Sequence, residues 1–505
     1  GNAFDAAVAV SAALAVVEPH GSGLGGGGFW LLYDAASARE TMLDGRERAP
    51  LAAHRDMYLD ENGGFVPARA LNGPLAAAIP GEPAALAHLS ENYGLLGLSR
   101  CLAPAIRIAR QGFSVDERMR EHLVRRADVL RRSPAATDQF LLNGEVPPAG
   151  YRIRQPDLAL TLERLAAAGR EGFYSGVTAQ RLVQGVREAG GIWTMDDLAS
   201  YRVVEREPIV GRYRDWRVVS AAPPSSGGVL LVQMLNMISA VEHGALSRTE
   251  RAHLLVEVMR RAYRDRARYL GDPDLVEMPL DRLTHPFYAY GLARDIRPER
   301  ATPSLGVSVP SKGADTTHFS ILDRMGNRVS ATQSINYPFG SGFVPPGTGV
   351  LLNDEMDDFS ARPGVPNAYG LVGGEANAIA PGKRMLSSMT PTFVDSPRGA
   401  ALLGTPGGSR IISMVLQAVL ALDAGKGAAR WVAAPRFHHQ FLPDEIQHEP
   451  GAFSADERAA LAAKGHRLRA IPGGFGNMQA IYWDRAEAVV SAASDPRGIG
   501  SAEVR

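Results

Sequence analysis

The chain has 505 residues, and 45% of them are hydrophobic, which is enough to build one large core or two. Lys and Arg together number 54, and so do Asp and Glu, so the formal net charge is zero. This balance excludes the basic surface expected of a protein that binds nucleic acid or an anionic membrane. A small-molecule substrate is therefore the favoured ligand.

The chain contains one cysteine, Cys101, so an intramolecular disulfide is impossible. We expect this side chain to be a small buried apolar group. The longest apolar stretch, residues 6–17, is too short to span a bilayer, and we therefore predict no transmembrane segment.

The first predicted elements are a helix, a glycine-rich turn and a strand. Residues 5–18 are rich in Ala and Val and predict a closely packed helix, and residues 29–33 predict a strand. Between them, residues 21–28 contain a G-x-G-x-x-G pattern. A dinucleotide site needs a strand before such glycines and a helix after them. Because the order is reversed here, the glycines predict a tight turn with close backbone packing.

Residues 80–270 are mostly helical by pattern, with clear examples at 155–168 and 249–269. Within the second of these, the run of mixed charge at residues 260–266 is typical of a solvated helix face. Residues 297–315 differ in character, because three prolines alternate with Ser, Gly and Lys. This composition predicts an exposed, mobile connection.

A hairpin follows that connection. Residues 316–322 and 328–335 predict two strands joined by a turn. If the turn is centred on Met325, antiparallel pairing places Thr316 opposite Ser334, with Cβ atoms roughly 4.5–5.5 Å apart. Two such hydroxyls commonly form only a cross-strand hydrogen bond. A self-cleavage boundary is possible before a strand that begins Thr-Thr, but on this pattern alone an ordinary linker is the favoured interpretation.

Metal and conventional hydrolase sites find no support in the sequence. The twelve histidines form no H-x-x-x-H pair, and the adjacent His438 and His439 would point in different directions in regular structure. There is no G-x-S-x-G motif either. We expect no metal and no organic cofactor.

A series of short motifs runs in order along almost the whole chain. They are GNAFDAA (1–7), GGGGF (25–29), DGRE (44–47), DTTHFS (315–320), QSIN (333–336), LNDEMDDFS (352–360), PGVPN (363–367), LSSMTP (386–391), GTPGGSR (404–410) and ASDPR (493–497). Together they resemble gamma-glutamyltransferase, a family of the N-terminal nucleophile hydrolase superfamily. The resemblance implies an α+β fold, a four-layer αββα sandwich made as one precursor that cuts itself before a threonine.

In this chain the implied cleavage breaks the Asp315–Thr316 bond and yields a large subunit, 1–315, and a small subunit, 316–505, which together form one αββα domain. Cleavage would turn the Thr316 nitrogen from an amide into an α-amine with an ordinary pKa of about 7.7–8.0. Such an amine can activate the weakly nucleophilic threonine hydroxyl at neutral pH. Thr317 is the competing nucleophile, and Ser334 stands where many bacterial members carry threonine.

The resemblance also assigns the remaining site residues. Arg46 has the planar fork suited to a substrate carboxylate. Glu355 and Asp358, three residues apart, could hold one ammonium group if they share a helical or turn face. The other implied residues are Gly407 and Gly408 as oxyanion donors before a helix at 411–422, Ser387 and Ser388 for the carboxylate, Asn336 for the amino group, and Tyr369 in a lid loop at 363–383. A simple turn before a helix is the alternative interpretation of the two glycines.

The implied reaction is cleavage of γ-glutamyl amides such as glutathione through a γ-glutamyl ester on Thr316, with transfer to water, amino acids or dipeptides. A periplasmic or extracellular location is expected from the family alone. Two alternatives stay open. One is an acylase for glutaryl-type cephalosporin side chains on the same scaffold, and the other is a non-catalytic homologue.

Overall fold

The computed structural model describes residues 1–241, 244–304, 316–367 and 369–505. The strands in chain order are β1 (Gly27–Asp34), β2 (Arg39–Gly45), β3 (Phe113–Ser114), β4 (Arg152–Ile153), β5 (Val204–Arg206), β6 (Ile209–Tyr213), β7 (Trp216–Ser220), β8 (Thr317–Leu322), β9 (Arg328–Ser334), β10 (Thr392–Ser396), β11 (Gly399–Gly404), β12 (Phe437–His438), β13 (Ile446–His448), β14 (Leu468–Ala470), β15 (Gln479–Asp484) and β16 (Val489–Ser494).

The α-helices are α1 (Ala3–Val17), α2 (Pro67–Leu71), α3 (Glu82–Asn92), α4 (Leu98–Gln111), α5 (Glu117–Leu130), α6 (Pro134–Phe140), α7 (Pro156–Ala168), α8 (Glu171–Tyr174), α9 (Gly176–Glu188), α10 (Met195–Ser200), α11 (Gly227–Val241), α12 (Arg248–Tyr269), α13 (Leu280–Thr284), α14 (Pro286–Ala293), α15 (Ile411–Asp423), α16 (Ala428–Ala433) and α17 (Ala455–Ala463). Short 3₁₀ helices cover Pro74–Ala76, Glu355–Asp358, Glu375–Asn377 and Gly408–Arg410.

Two antiparallel sheets form the centre of the molecule. The first has five strands in the order β5-β2-β1-β9-β8, and the second has six in the order β16-β15-β11-β10-β7-β6. On β1, Phe29 and Leu31 pack in the core that also contains Phe393 of the second sheet, whereas Trp30 and Leu32 pack in a separate helical core. Because successive side chains of a strand point to opposite faces, this first sheet is covered on both sides.

Helices cover the outer face of each sheet. Helices α1 and α3 lie on the first sheet, with α4 against α1 and α7 against α4. Helices α11, α15 and α16 lie on the second sheet, with α12 against α11. The layers therefore follow the order helix, sheet, sheet, helix. The predicted four-layer αββα sandwich is confirmed.

The prediction of a solvated face at residues 260–266 is wrong. On α12, Arg260 and Arg261 are buried, as is Arg266, while Arg264 is exposed. Helix α12 packs between α11 and α17, which excludes water from most of its circumference. Glu257 accepts hydrogen bonds from Arg260 Nε at 3.2 Å and Arg261 Nη1 at 2.6 Å, so two of these charges are compensated inside the protein.

The hairpin has the predicted register. Thr317 pairs with Gln333 and Leu322 with Arg328, which centres the turn on Met325. The glycine-rich segment also has the predicted order, because it leads from helix α1 into strand β1. A Cβ atom at Gly26 would clash with the Ser334 carbonyl. These glycines are therefore needed for close backbone packing beside the end of β9.

Only part of the predicted connection at 297–315 is described. Residues 297–304 form neither helix nor strand. The Thr302 amide donates to Glu257 Oε1 at 3.1 Å and the Ser304 amide to Asp444 Oδ2 at 2.8 Å. Residues 305–315, including Asp315, lie outside the described residues, so the predicted cleavage bond stays a prediction.

Cys101 is buried, as predicted. Among the helices in the described parts of the chain, none combines the length and apolar character needed to cross a bilayer.

Candidate active site

Strand ends from both sheets meet at one side of the sandwich. In the first sheet, Gly27 at the start of β1 pairs with Ser334 at the end of β9, and Gly28 pairs with Gly45 at the end of β2. In the second sheet, Thr392 at the start of β10 pairs with Leu403 near the end of β11. The segments that leave these ends line one small cavity, to which charged, hydroxyl-bearing and apolar side chains all contribute.

The cavity collects nearly all of the predicted site residues. It is lined by Arg46, Thr316, Ser334, Asn336, Glu355, Asp358, Tyr369, Leu371, Ser387, Ser388, Met389, Gly408, Ser409 and Ile411. Gly408 lines the cavity, whereas its neighbour Gly407 is not among the described lining residues. Sequence analysis missed the apolar members because apolar side chains are ordinarily assigned to the core. Ser409 could have been found, since it directly follows the two predicted glycines.

Thr316 and Ser334 face each other as the hairpin register predicts. Their hydroxyl oxygens are 3.4 Å apart, and both residues are buried. The backbone amide of Asn336 donates to Ser334 Oγ at 2.8 Å. The Thr317 hydroxyl instead donates to Glu18 Oε2 at 2.7 Å. Because neighbouring strand residues point to opposite faces, the geometry favours Thr316 over Thr317 as the group that faces a substrate.

A glycine turn contributes Gly408 to the cavity wall. Gly407 and Gly408 have φ angles of 144° and 56°, which residues with a side chain rarely adopt. A Cβ atom at Gly408 would lie 2.7 Å from the Tyr369 ring. The chain then enters a 3₁₀ turn and helix α15. Backbone N–H groups at such a helix start are suited to stabilise an oxyanion.

Arg46 lies at the centre of a buried charge cluster. Its Nη1 is 2.7 Å from Glu355 Oε2 and its Nη2 is 2.6 Å from Asp358 Oδ2. The two acids occupy one 3₁₀ turn, where residues three apart share a face, as the predicted shared cation site requires. The structure thus pairs the implied carboxylate-binding residue with the implied ammonium-binding residues. The carboxylate of a zwitterionic head group would then pair with Arg46, and its ammonium group with Glu355 and Asp358.

Glu47 is a fourth member of this cluster that sequence analysis did not assign. Its Oε2 lies 3.4 Å from Arg46 Nη1, and the side chain is fully buried. Burial and the nearby Glu355 raise the pKa of Glu47 well above its ordinary value. Burial also raises the pKa of Glu355 to about 7, against the opposing effect of Arg46. The charge of the cluster therefore changes near neutral pH.

Tyr369 closes one side of the cavity. Its hydroxyl donates to the Asn336 carbonyl at 2.7 Å, and its own carbonyl accepts from Gln440 Nε2 at 3.0 Å. Gln440 Oε1 in turn accepts from the Ser409 hydroxyl at 2.6 Å. Gln440, which sequence analysis did not assign, therefore connects the predicted lid to the turn that follows Gly408.

Ser387 and Ser388 belong to a buried loop that precedes β10. The Met389 amide donates to Ser387 Oγ at 3.1 Å, and the Ser226 amide donates to the Ser387 carbonyl at 2.9 Å. Ser388 Oγ accepts a hydrogen bond from Arg266 Nη2 at 3.3 Å. These hydrogen bonds fix both serines on the cavity wall.

Comparison with known proteins agrees with this geometry. The sequence model of the gamma-glutamyltranspeptidase family matches residues 1–504. The chain is also 42% identical over 508 residues to the glutathione hydrolase proenzyme of Escherichia coli K12, with 99% of this chain and 87% of the relative covered. The chain belongs to the gamma-glutamyltranspeptidase family. The predicted family membership is therefore confirmed, and with it the prediction of an enzyme.

Solved structures extend the same result to the fold. A cephalosporin acylase from Bacillus halodurans superposes with a TM-score of 0.86 at 29% identity and covers 98% of this chain and 90% of that one. A gamma-glutamyltranspeptidase from Helicobacter pylori has a TM-score of 0.57 at 39% identity, covering 60% and 87%. Gamma-glutamyltranspeptidase and acylase relatives thus share this scaffold, so residue chemistry in the cavity must separate the two activities.

Proposed function

We propose that this chain is a self-processing γ-glutamyltransferase and glutathione hydrolase that uses Thr316 as its nucleophile. The observation that carries the proposal is the Thr316 hydroxyl, 3.4 Å from Ser334 Oγ, on the wall of a cavity that also holds Arg46, Glu355 and Asp358. A nucleophile and a cluster for a zwitterion thus share one small cavity. The name of the E. coli relative, glutathione hydrolase proenzyme, supports both the substrate and the processing.

Processing breaks the Asp315–Thr316 bond, giving subunits 1–315 and 316–505. The new Thr316 α-amine then takes the proton from its own hydroxyl as Oγ1 attacks the γ-carbonyl carbon of the donor. The carbon–nitrogen bond breaks, the proton passes to the departing amine, and a γ-glutamyl ester stays on Thr316. Water, or the amine of an amino acid or dipeptide, then attacks this ester and restores the hydroxyl.

The remaining cavity residues have separate roles in this proposal. Gly408, together with Gly407, supplies N–H donors for the tetrahedral oxyanion. The other assignments are Arg46, Ser387 and Ser388 for the α-carboxylate; Asn336, Glu355 and Asp358 for the α-ammonium; Ser334 as a support for Thr316; and Tyr369 as a lid that limits water. A periplasmic or extracellular location is carried over from the family resemblance alone.

The raised pKa of Glu355 gives a pH prediction. Burial raises the pKa of Glu355 to about 7, so its negative charge is present above that pH and is lost as the pH falls through it. Binding of the substrate ammonium needs that charge. We expect the KM for a γ-glutamyl anilide to rise roughly fivefold to tenfold from about pH 7.5 to about pH 6, and Glu355→Gln to remove this slope. A wild-type KM that is flat over this range would contradict the assignment.

A glutaryl acylase is the second candidate, because the B. halodurans neighbour is a cephalosporin acylase with a TM-score of 0.86. A glutaryl group has no α-amine, so it would leave Glu355 and Asp358 without an ammonium partner. We expect kcat/KM for γ-glutamyl p-nitroanilide to exceed that for the glutaryl anilide by at least about 100-fold. The opposite preference would favour the acylase, and turnover of neither would revive the non-catalytic alternative.

A further inference from the structure

Arg266 lies behind the predicted carboxylate site, on helix α12. Its side chain is 4% exposed, although its charged sequence run predicts a solvated position. Nε donates to Ser226 Oγ at 3.0 Å, and Nη2 donates to Ser388 Oγ at 3.3 Å. One guanidinium therefore bridges the loop before α11 and the loop before β10.

The described partners of the Arg266 guanidinium are hydroxyl groups rather than carboxylates. Buried guanidiniums are ordinarily paired with carboxylates, as Arg260 and Arg261 are with Glu257 on the same helix. Within the described ranges of the chain, no carboxylate lies at ion-pair distance from Arg266, whose guanidinium donates to the Ser226 and Ser388 hydroxyls. Burial lowers the pKa of Arg266 to about 10, so it is still charged at neutral pH.

The hydrogen-bond direction at Ser388 follows from the chemistry of its partner. A guanidinium only donates, so Ser388 Oγ accepts from Arg266 and keeps its own proton to donate. Ser388 lines the cavity, where an anionic group would be the natural acceptor. Ser226 is fixed in the same manner, because its Oγ accepts from Arg266 and donates to the Ser387 carbonyl at 2.7 Å. The guanidinium thus holds Ser388 directly and holds the Ser387 backbone through Ser226.

The charges around the cavity point the same way. Arg46 is already bound to Glu355 and Asp358, so these three groups carry one net negative charge when both acids are ionised. A γ-glutamyl head group brings one ammonium and one carboxylate. Arg266 adds a positive charge on the Ser388 side of the cavity, where the carboxylate would bind.

We propose that Arg266 is a positioning residue for the α-carboxylate of the γ-glutamyl substrate and acts through the Ser388 hydroxyl. The inference rests on the proposed γ-glutamyl specificity. Arg266 polarises and orients the Ser388 hydroxyl that donates to the carboxylate, and it does not contact the carboxylate itself. Its loss therefore weakens recognition of the carboxylate and leaves recognition of the ammonium and the acyl chain in place.

The test compares two substrates that differ only in the α-carboxylate, γ-glutamyl p-nitroanilide and 4-aminobutyryl p-nitroanilide. Arg266→Met is expected to lower kcat/KM for the first about thirtyfold, mainly through KM, and for the second less than about threefold. The inhibition constants of free L-glutamate and 4-aminobutyrate provide the same comparison without turnover of the poorer substrate. Arg261→Met, on the same buried helix but bound to Glu257, is the matched control and should leave the ratio of the two substrates unchanged.

A double-variant cycle tests the route through Ser388. In a Ser388→Ala background, Arg266→Met should cause little further loss, because the hydroxyl through which it acts is already absent. Equal losses for both substrates, or additive losses in the cycle, would overturn the inference. If Arg266→Met does not fold, Arg266→Lys is the second variant. Lysine keeps the positive charge but lacks the planar fork that bridges Ser226 and Ser388, so the ratio of kcat/KM for the two substrates should still change. An unchanged ratio would also overturn the inference.

The two proposals fail in different ways. A wild-type protein that does not turn over γ-glutamyl p-nitroanilide would refute the proposed function. A wild-type protein that does so, with Arg266 variants that affect both substrates alike, would refute only the role of Arg266.

Discussion

Thr316→Ala is expected to leave a single uncut chain of 54.0 kDa with no hydrolysis of γ-glutamyl p-nitroanilide. The substitution removes the Thr316 hydroxyl, which lies 3.4 Å from Ser334 Oγ. We propose that this Thr316 hydroxyl attacks first the backbone and then the substrate. The neighbouring hydroxyl of Thr317 is not placed to replace it, because it donates to Glu18 Oε2 at 2.7 Å. A denaturing gel and an anilide assay of the purified variant measure both effects.

Two controls accompany this variant. Thr316→Ser keeps a hydroxyl at the same position and should still be cut, with reduced turnover. Thr317→Ala removes the neighbouring hydroxyl and should also be cut before residue 316. Two fragments of normal size from Thr316→Ala would refute the assignment of the nucleophile.

Arg46→Met is expected to lower kcat/KM for γ-glutamyl p-nitroanilide by at least about 100-fold. The change removes the only cation of a buried cluster and leaves Glu47, Glu355 and Asp358 together in the described structure. Breaking such a buried ion pair costs about 3–5 kcal/mol, and the substrate carboxylate loses its fork as well. Steady-state kinetics on purified protein, with a thermal unfolding curve, separate lost binding from lost folding.

Arg48→Met is the matched control for that experiment. Arg48 is two residues away, and in the described parts of the chain its guanidinium donates to two backbone carbonyls, those of Gly382 at 2.8 Å and Ser200 at 3.4 Å. It does not line the cavity, so its kcat/KM should stay within a few-fold of the wild-type value. An Arg46→Met enzyme as active as this control would exclude Arg46 from substrate recognition.

The hairpin shows what could be predicted from local pattern. Two strand-like runs and one short turn are enough to set the register, because side chains alternate with a period of two and a slip of one residue would reverse every face. The pairing of Thr317 with Gln333 follows from this rule. The glycine turn was equally predictable, since the order of helix, glycines and strand already excluded a nucleotide site.

Other features depend on residues far apart in the chain and could not be predicted locally. The run at 260–266 was misassigned because its burial depends on α11 and α17, and the partners of Arg266 lie at Ser226 and Ser388. Likewise, the spacing of Glu355 and Asp358 predicts a shared face, but it does not reveal that Arg46 occupies that face. The family resemblance named the members of the cavity, and only the three-dimensional contacts give their pairing.

The central claim is that cleavage before Thr316 frees its α-amine, and that this amine makes the Thr316 hydroxyl reactive. Amino-terminal sequencing and intact mass of the active, purified protein test this most directly. We expect a second amino terminus that reads Thr-Thr-His-Phe, together with a fragment of the mass of residues 316–505. A fully active protein whose backbone is unbroken between residues 315 and 316 would contradict the account.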